Sequence, residues 1–121
     1  RIFSASVEEG KFIIIGDGNQ KLNLIFVEDA AALLKFLIFL DQKNKIEIFN
    51  VCDSTPHCVN ELLSMAEKIT NHRIPCDKNL SASGGRTIIG DNKKIINLSG
   101  YKLQTDLVKT LKKTYRNYLS L

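Results

Sequence analysis

The stretch that decides the fold runs from residue 11 to residue 40, KFIIIGDGNQKLNLIFVEDAAALLKFLIFL. Its first part, Lys11 to Gly16, is β-branched and ends at a glycine, which predicts a strand followed by a tight turn. Leu24 to Val27 predicts a second short strand. Glu28 and Asp29 then open a helix, where acidic side chains suit the positive end of the helix dipole. This alternation of strands and helix predicts an α/β fold.

The helix that follows is apolar around nearly its whole circumference from Ala30 to Leu40. A helix on the surface of a globular protein normally has one apolar stripe, so this one needs cover on two sides. A chain of 121 residues supplies little of that cover. The pattern therefore predicts either a partner domain outside this chain or a homodimer.

The rest of the chain contains one more predicted strand, after which predicted helices dominate. Lys45 to Val51 predicts a strand, and Thr55 with Pro56 predicts a helix start. The segment from Arg73 to Gly85 is rich in small residues and predicts an irregular, mobile loop. Asp91 to about Leu98 predicts a short helix that ends at Gly100.

The last helix is predicted after Thr105 and Asp106, which supply its N-terminal cap. Its apolar residues form one continuous face, and lysine and arginine side chains lie mostly on the other: the apolar set is Leu107, Val108, Leu111, Tyr115, Tyr118 and Leu119. The whole pattern predicts an incomplete α/β layer with a small, mostly helical C-terminal lobe.

Composition is that of a single globular domain, with a formal charge of +4 that comes mostly from dispersed lysines. This charge predicts a solvated surface, and we expect neither nucleic-acid nor membrane binding. The N-terminus lacks the pattern of a signal peptide, and three cysteines without a paired framework favour a reducing cytoplasm. Cys52, His57, Cys58, His72 and Cys76 are the possible metal ligands, and His72-x-x-x-Cys76 resembles the spacing of a zinc finger. Cys52 and Cys58 do not form a zinc knuckle, however, and Cys58 falls in the first turns of a predicted helix, so no metal ligands are predicted.

Six pieces in order carry a resemblance. They are Gly-Asp-Gly-x-Gln at 16–20, Val-x-Asp-x-Ala at 27–31, the end of the 45–51 segment, Asp-x-x-Lys at 91–94, Gly100-Tyr101 and a last amphipathic helix rich in tyrosine. Together they resemble the C-terminal part of the NAD-dependent epimerases and dehydratases, the extended short-chain dehydrogenases, over almost the whole chain. The resemblance implies a Rossmann-type α/β layer that is incomplete here.

The resemblance also implies that residues 1–121 form the substrate-binding portion of an enzyme acting on a nucleotide sugar, with NAD or NADP bound in the full-length protein. We expect the N-terminal dinucleotide-binding part to be absent from this chain. The chain has no complete Gly-rich loop, and no tyrosine is followed by lysine four positions later. No catalytic or cofactor-binding residue is therefore predicted, and no bound cofactor is expected for this chain alone.

The resemblance implies a substrate contact for Arg86, with Lys21 and Gln20 as further substrate-binding residues. Leu22 stands where the family often has an arginine that grips a diphosphate, and Lys21 beside it offers only a point charge. Asp29 is predicted to be structural, bonding free amides at the helix start, and Asn50 to bond at a strand end. The alternative to an enzyme segment is a stand-alone binding or protein-interaction module derived from that family.

Overall fold

The computed structural model describes residues 2–8, 10–41, 46–81, 85–104 and 106–120. The chain forms two compact units. Unit 1 contains Arg1–Leu22, His57–Ile88 and Asp106–Leu121, and unit 2 contains Asn23–Pro56 and Ile89–Thr105. In chain order the elements are α1 (Ile2–Val7), β1 (Phe12–Ile15), β2 (Lys21–Asn23), α2 (Val27–Ile38), β3 (Pro56–Cys58), α3 (Val59–Thr70), β4 (Cys76–Asn79), α4 (Lys93–Ser99) and α5 (Leu107–Leu119).

Unit 1 is built around a parallel pair of strands with helices packed against it. β1 pairs with β4 in the register that sets Phe12 against Cys76 and Ile15 against Asn79. Helix α3 contacts α1 and α5. The buried core contains residues from the helices, from β1 and from the chain before β4, namely Phe3, Ala5, Ile14, Leu63, Ala66 and Ile74. This arrangement of a parallel sheet and helices is a partial Rossmann-like α/β fold.

Unit 2 packs α2 against α4. Leu33 and Ile95 are completely buried. Asn92 is buried as well, and its side-chain amide donates to the carbonyl of Cys52 at 2.8 Å. The Lys94 ammonium lies 2.6 Å from the Glu47 carboxylate, and this pair ties the 46–50 segment to α4.

The predictions of an α/β fold, of β1 and of the two C-terminal helices agree with the structure. Helix α2 begins at Val27 and ends at Ile38, close to the predicted bounds. Gly100 ends α4 in the left-handed conformation with φ of 64°, as a glycine at a helix C-terminus usually does. Asp106 caps α5 by accepting from the amide of Lys109 at 2.9 Å.

Two strand predictions were wrong. The second strand is not Leu24 to Val27 but β2, three residues earlier, because β2 is the segment that finds partner backbone in β3. The predicted strand from Lys45 to Val51 is not formed over its described residues, 46–51. A strand needs a neighbouring backbone, and alternation of side chains alone does not supply one.

The predicted helix start at Thr55 and Pro56 was also wrong. Pro56 instead begins the short strand β3, and α3 starts at Val59 with Cys58 as its N-cap. The Cys58 thiol accepts from the Glu61 amide, and the Glu61 carboxylate accepts from the Cys58 amide at 3.0 Å. This reciprocal capping box fixes the start of α3.

The predicted irregular loop from Arg73 to Gly85 contains β4, and this part of the prediction was wrong as well. All four residues of β4 are exposed and its sequence is polar, so it carries no signal of a buried strand. Its position is set by pairing with β1 rather than by its own side chains.

Candidate functional site

The candidate site begins at the turn that follows β1 in unit 1. Gly16 and Gly18 both have φ of 83°, a conformation that glycine adopts without a steric penalty. The Asp17 carboxylate accepts from the backbone amide of Asn19 and from its side-chain amide, both at 2.8 Å. These bonds lower the pKa of Asp17, with the backbone amide contributing most.

Gly18 is buried against the side chain of Asn60 from α3. A Cβ atom at this position would lie 2.3 Å from the Asn60 side-chain oxygen, well inside contact distance. The glycine is therefore required both by its φ and by the space that Asn60 occupies.

Gln20, the first predicted substrate-binding residue, is half-buried after this turn. Its side-chain nitrogen donates to the carbonyl of Ile15 at 2.8 Å, which closes the turn onto the end of β1. Its side-chain oxygen is buried and has no hydrogen-bond partner among the described residues. That oxygen lies between Gly16 and Gly85, since a Cβ on either glycine would be 3.8 or 3.9 Å from it.

Lys21, the second predicted residue, is exposed and starts β2. Its backbone amide donates to the Thr87 hydroxyl at 3.1 Å, and its carbonyl accepts from the Ile88 amide at 2.9 Å. Leu22 forms a parallel bridge with Ile88. The backbone of 85–88 therefore runs beside the backbone of 20–22.

Arg86, the third predicted residue, lies on this neighbouring segment. Its side chain is exposed and has no ion-pair partner among the described residues. The structure therefore brings the segment of Arg86 beside that of Gln20 and Lys21, although Arg86 is far from those two adjacent residues in the sequence.

The charge of Lys21 is partly offset by an acidic neighbour. Glu61 has a pKa below its usual value, chiefly because its carboxylate accepts from the Cys58 amide, with smaller contributions from His57 and from the Lys21 charge. The His57 ring nitrogen lies 3.6 Å from the Glu61 carboxylate. Glu61 and Lys21 do not form an ion pair, so neither Lys21 nor Arg86 is paired with a carboxylate among the described residues.

Asp29 belongs to unit 2 and has a structural position, but not the predicted partners. Its side chain is almost completely buried, and it accepts from the Tyr101 hydroxyl at 2.9 Å and from the Gln104 amide at 3.1 Å. The predicted bonds to amides at the helix start were wrong, because the carboxylate turns toward the chain after α4. Asn50 donates from its side chain to the carbonyl of Asp91 at 3.1 Å, in a segment that is not a strand.

Sequence reasoning missed three residues that hold the site together: Asn60, Lys78 and Thr87. Asn60 looks like an ordinary polar residue near a helix start. Lys78 falls in the stretch predicted as an irregular loop, yet its ammonium donates to the carbonyl of Asp17 at 2.7 Å. No sequence signal identifies these partners, because each contact depends on residues about 40 to 66 positions away along the chain.

The turn at 16–18 does not fit a dinucleotide. A pyrophosphate site needs open backbone amides at a helix N-terminus. Here the glycines lead into the strand β2, and the Asn60 side chain fills the space at Gly18. Within the described residues there is also no cluster of three or more metal-ligating side chains. No helix in the described part is long and apolar enough to cross a membrane.

Several solved structures have a fold similar to that of this chain. No protein-family model matches the chain. A search of curated proteins likewise found no match.

Three solved structures share the fold over nearly the whole chain. UDP-glucuronic acid 4-epimerase from Bacillus cereus, in complex with UDP-glucuronic acid and NAD, has a TM-score of 0.85 and 20% identity over 99% of this chain. MoeE5, also in complex with UDP-glucuronic acid and NAD, has a TM-score of 0.87 and 22% identity over 100% of this chain. UDP-N-acetylglucosamine 4-epimerase from Methanobrevibacter ruminantium M1 has a TM-score of 0.81 and 21% identity over 98% of this chain.

The chain spans only part of these enzymes. It covers 38% of the length of the Bacillus cereus chain, 41% of MoeE5 and 38% of the Methanobrevibacter chain. The chain therefore has the fold of a portion of these proteins, two of which, the Bacillus cereus epimerase and MoeE5, were solved in complex with NAD.

Proposed function

We propose that this chain is the C-terminal, substrate-binding portion of an NAD- or NADP-dependent epimerase or dehydratase of the extended short-chain dehydrogenase family, acting on a nucleotide sugar. The observation that carries the proposal is the match of nearly the whole chain to about two fifths of a UDP-glucuronic acid 4-epimerase and of MoeE5, both solved with UDP-glucuronic acid and NAD. The chain's motifs support it, since they occur in the order expected for that family.

The site in unit 1 supports a substrate role. Two backbone segments come together there and present an exposed arginine, an exposed lysine and a half-buried glutamine. A guanidinium matches the geometry of phosphate oxygens, so Arg86 is the residue proposed to contact the substrate most strongly. Lys21 is proposed as a weaker contact because its ammonium is a point charge that does not match two phosphate oxygens at once.

Catalysis and cofactor binding are proposed to belong to the remainder of the enzyme. The turn at 16–18 does not fit a dinucleotide, and the sequence has no tyrosine followed by lysine at the family's spacing. In this family such a lysine lowers the tyrosine pKa so that the phenolate takes a proton from the substrate.

Unit 2 supports the presence of a covering domain. It exposes large apolar side chains on α2, at the C-cap residue that follows it and in the 46–48 segment: Val27, Leu34, Ile38, Phe39, Ile46 and Ile48. Exposed apolar surfaces of this kind mark interfaces. We propose the dinucleotide-binding part as the cover, with a second copy of the chain in a homodimer as the competing occupant.

The test is an assay of the intact polypeptide that contains this sequence, with NAD or NADP and a panel of UDP- and dTDP-sugars. We expect turnover or tight binding of at least one nucleotide sugar. In calorimetry the 121-residue chain alone should bind neither cofactor. Micromolar NAD binding by this chain, or an intact polypeptide that binds no nucleotide sugar, would contradict the proposal and favour the binding module.

A further inference from the structure

We infer that Asn60 is a positioning residue that fixes Gln20 and Lys21 by clamping the turn before them. Asn60 lies in the first turn of α3, and the turn in question comprises Asp17, Gly18 and Asn19. The clamp follows from the geometry of unit 1 alone. Only its consequence for substrate binding rests on the proposed function.

Asn60 bonds to every residue of that turn. Its backbone amide donates to the carbonyl of Gly18 at 3.0 Å. Its side-chain amide donates to the carbonyl of Asp17 at 3.2 Å and to the side-chain oxygen of Asn19 at 3.0 Å. The Asn60 side-chain amide thus donates two hydrogen bonds. An ionised carboxylate of the same size has no hydrogen to donate and could form neither of them.

The helix that carries Asn60 is firmly held. The capping box of Cys58 and Glu61 fixes its first turn. Leu63 and Ala66, further along α3, are buried in the core of unit 1. A side chain on such an element holds its partner more accurately than one on a loop.

The turn transmits this position to the candidate site. Gln20 follows Asn19 directly and is closed onto Ile15 by its own side chain, and Lys21 then enters β2. If the turn becomes more mobile, Gln20 and Lys21 are no longer held in one position at the start of β2. Lys78 supports the same turn from β4, so loss of Asn60 should loosen it without unfolding unit 1.

The experiment compares Asn60→Asp with Ser64→Ala in the intact polypeptide. Asn60→Asp keeps the size of the side chain but replaces two donated bonds by repulsion between oxygens. Ser64 is exposed one helical turn further along α3 and serves as the matched control. Hydrogen exchange of peptides covering 16–22 should speed up in Asn60→Asp and remain unchanged in Ser64→Ala. Unchanged exchange in Asn60→Asp overturns the inference, whatever activity the protein has.

Kinetics separate positioning from general damage. For a nucleotide sugar, Asn60→Asp should raise KM about threefold to tenfold, the effect of a lost hydrogen bond, and leave kcat nearly unchanged. A fall in kcat with unchanged KM would contradict the substrate-positioning role. Faster exchange in a protein that binds no nucleotide sugar would support the clamp and overturn the proposed function instead.

A double-mutant cycle tests the contact itself. Gly18→Ala should be strongly destabilising because its Cβ would collide with the Asn60 side chain. Adding Asn60→Ala removes the collision and leaves only the cost of a positive φ, so the two effects should be less than additive. Strict additivity in urea unfolding would show that the two side chains do not meet.

Discussion

At the scale of single residues, Arg86 is the side chain that we propose to contact the ligand most strongly. It is exposed, it has no ion-pair partner among the described residues, and it lies on the segment that runs beside Lys21 and Leu22. An arginine held by a carboxylate would be less available to an anion, because its donors would already be satisfied.

We therefore expect Arg86→Ala in the intact polypeptide to raise KM for the proposed nucleotide-sugar substrate roughly tenfold. A charge-assisted hydrogen bond is worth about 1.5–3 kcal/mol, and the cofactor is proposed to bind elsewhere, so its affinity should not change. Arg73→Ala, at another exposed arginine of unit 1, is the control and should leave KM unchanged. An unaltered KM in Arg86→Ala would assign Arg86 to the solvated surface. Because Leu22 already replaces one expected phosphate contact, a substrate without a diphosphate would then be favoured.

Asp29 shows what a residue-level pattern can and cannot predict. An acidic residue at a helix start correctly indicated a structural role. Its partners, Tyr101 and Gln104, lie more than 70 positions away in sequence, and no local signal identifies them. The same limit explains why Asn60, Lys78 and Thr87 were missed while Gln20, Lys21 and Arg86 were proposed from a motif.

At the scale of elements, sequence predicted helices better than strands. Amphipathic α5 and its Asp106 cap are encoded locally, so their bounds agree with the pattern. By contrast, β4 is a polar, exposed strand that exists because β1 lies beside it. The sequence pattern did not predict Cys58 as the N-cap of α3, because Thr55 and Pro56 form a more usual helix start.

One hydrogen bond joins the residue that follows α1 to a residue of α5. The Tyr118 hydroxyl donates to the Glu8 carboxylate, and this bond, together with one from Ser4, lowers the pKa of Glu8. A carboxylate with a lowered pKa adds stability above its unfolded value of about 4.3, and that stability is lost as the pH falls through the lowered value.

Tyr118→Phe should therefore reduce Tm at neutral pH and flatten its fall below about pH 4.3, because Glu8 then titrates closer to its unfolded value. Tyr115→Phe removes the same atom from the same helix and is the control. Tyr115 packs its ring 5.1 Å from that of Phe3, and this contact survives the change. Parallel acid profiles for wild type and Tyr118→Phe would show that the bond to Glu8 contributes nothing to stability.

At the scale of the whole molecule, the apolar surface of unit 2 is the feature that the chain itself does not explain. Ile46 and Ile48 are 82% and 79% exposed, whereas the Glu47 side chain between them is 24% exposed and pairs with Lys94. The sequence pattern here predicted a strand, and no partner strand is present among the described residues. A neighbouring backbone outside this chain would satisfy both the pattern and the exposure.

If a neighbouring segment covers Ile46 and Ile48, replacing both side chains should affect stability in the intact polypeptide but not in the 121-residue chain. Ile46→Thr with Ile48→Thr should leave the stability of the 121-residue chain almost unchanged, since both side chains already face solvent, and should reduce its binding of a hydrophobic dye. In the intact polypeptide the same change should cost about 1–3 kcal/mol per side chain, because each would be withdrawn from a covered apolar site. Urea unfolding measures the stability in both cases, with Val108→Thr on α5 in unit 1 as a neutral control.

Sedimentation of the 121-residue chain tests whether a second copy, rather than a covering domain, occupies this surface. A dimer that the double variant dissociates would mean that a second copy covers it. Equal stability in both contexts without self-association would leave Ile46 and Ile48 exposed in the working protein and would count against a covering domain.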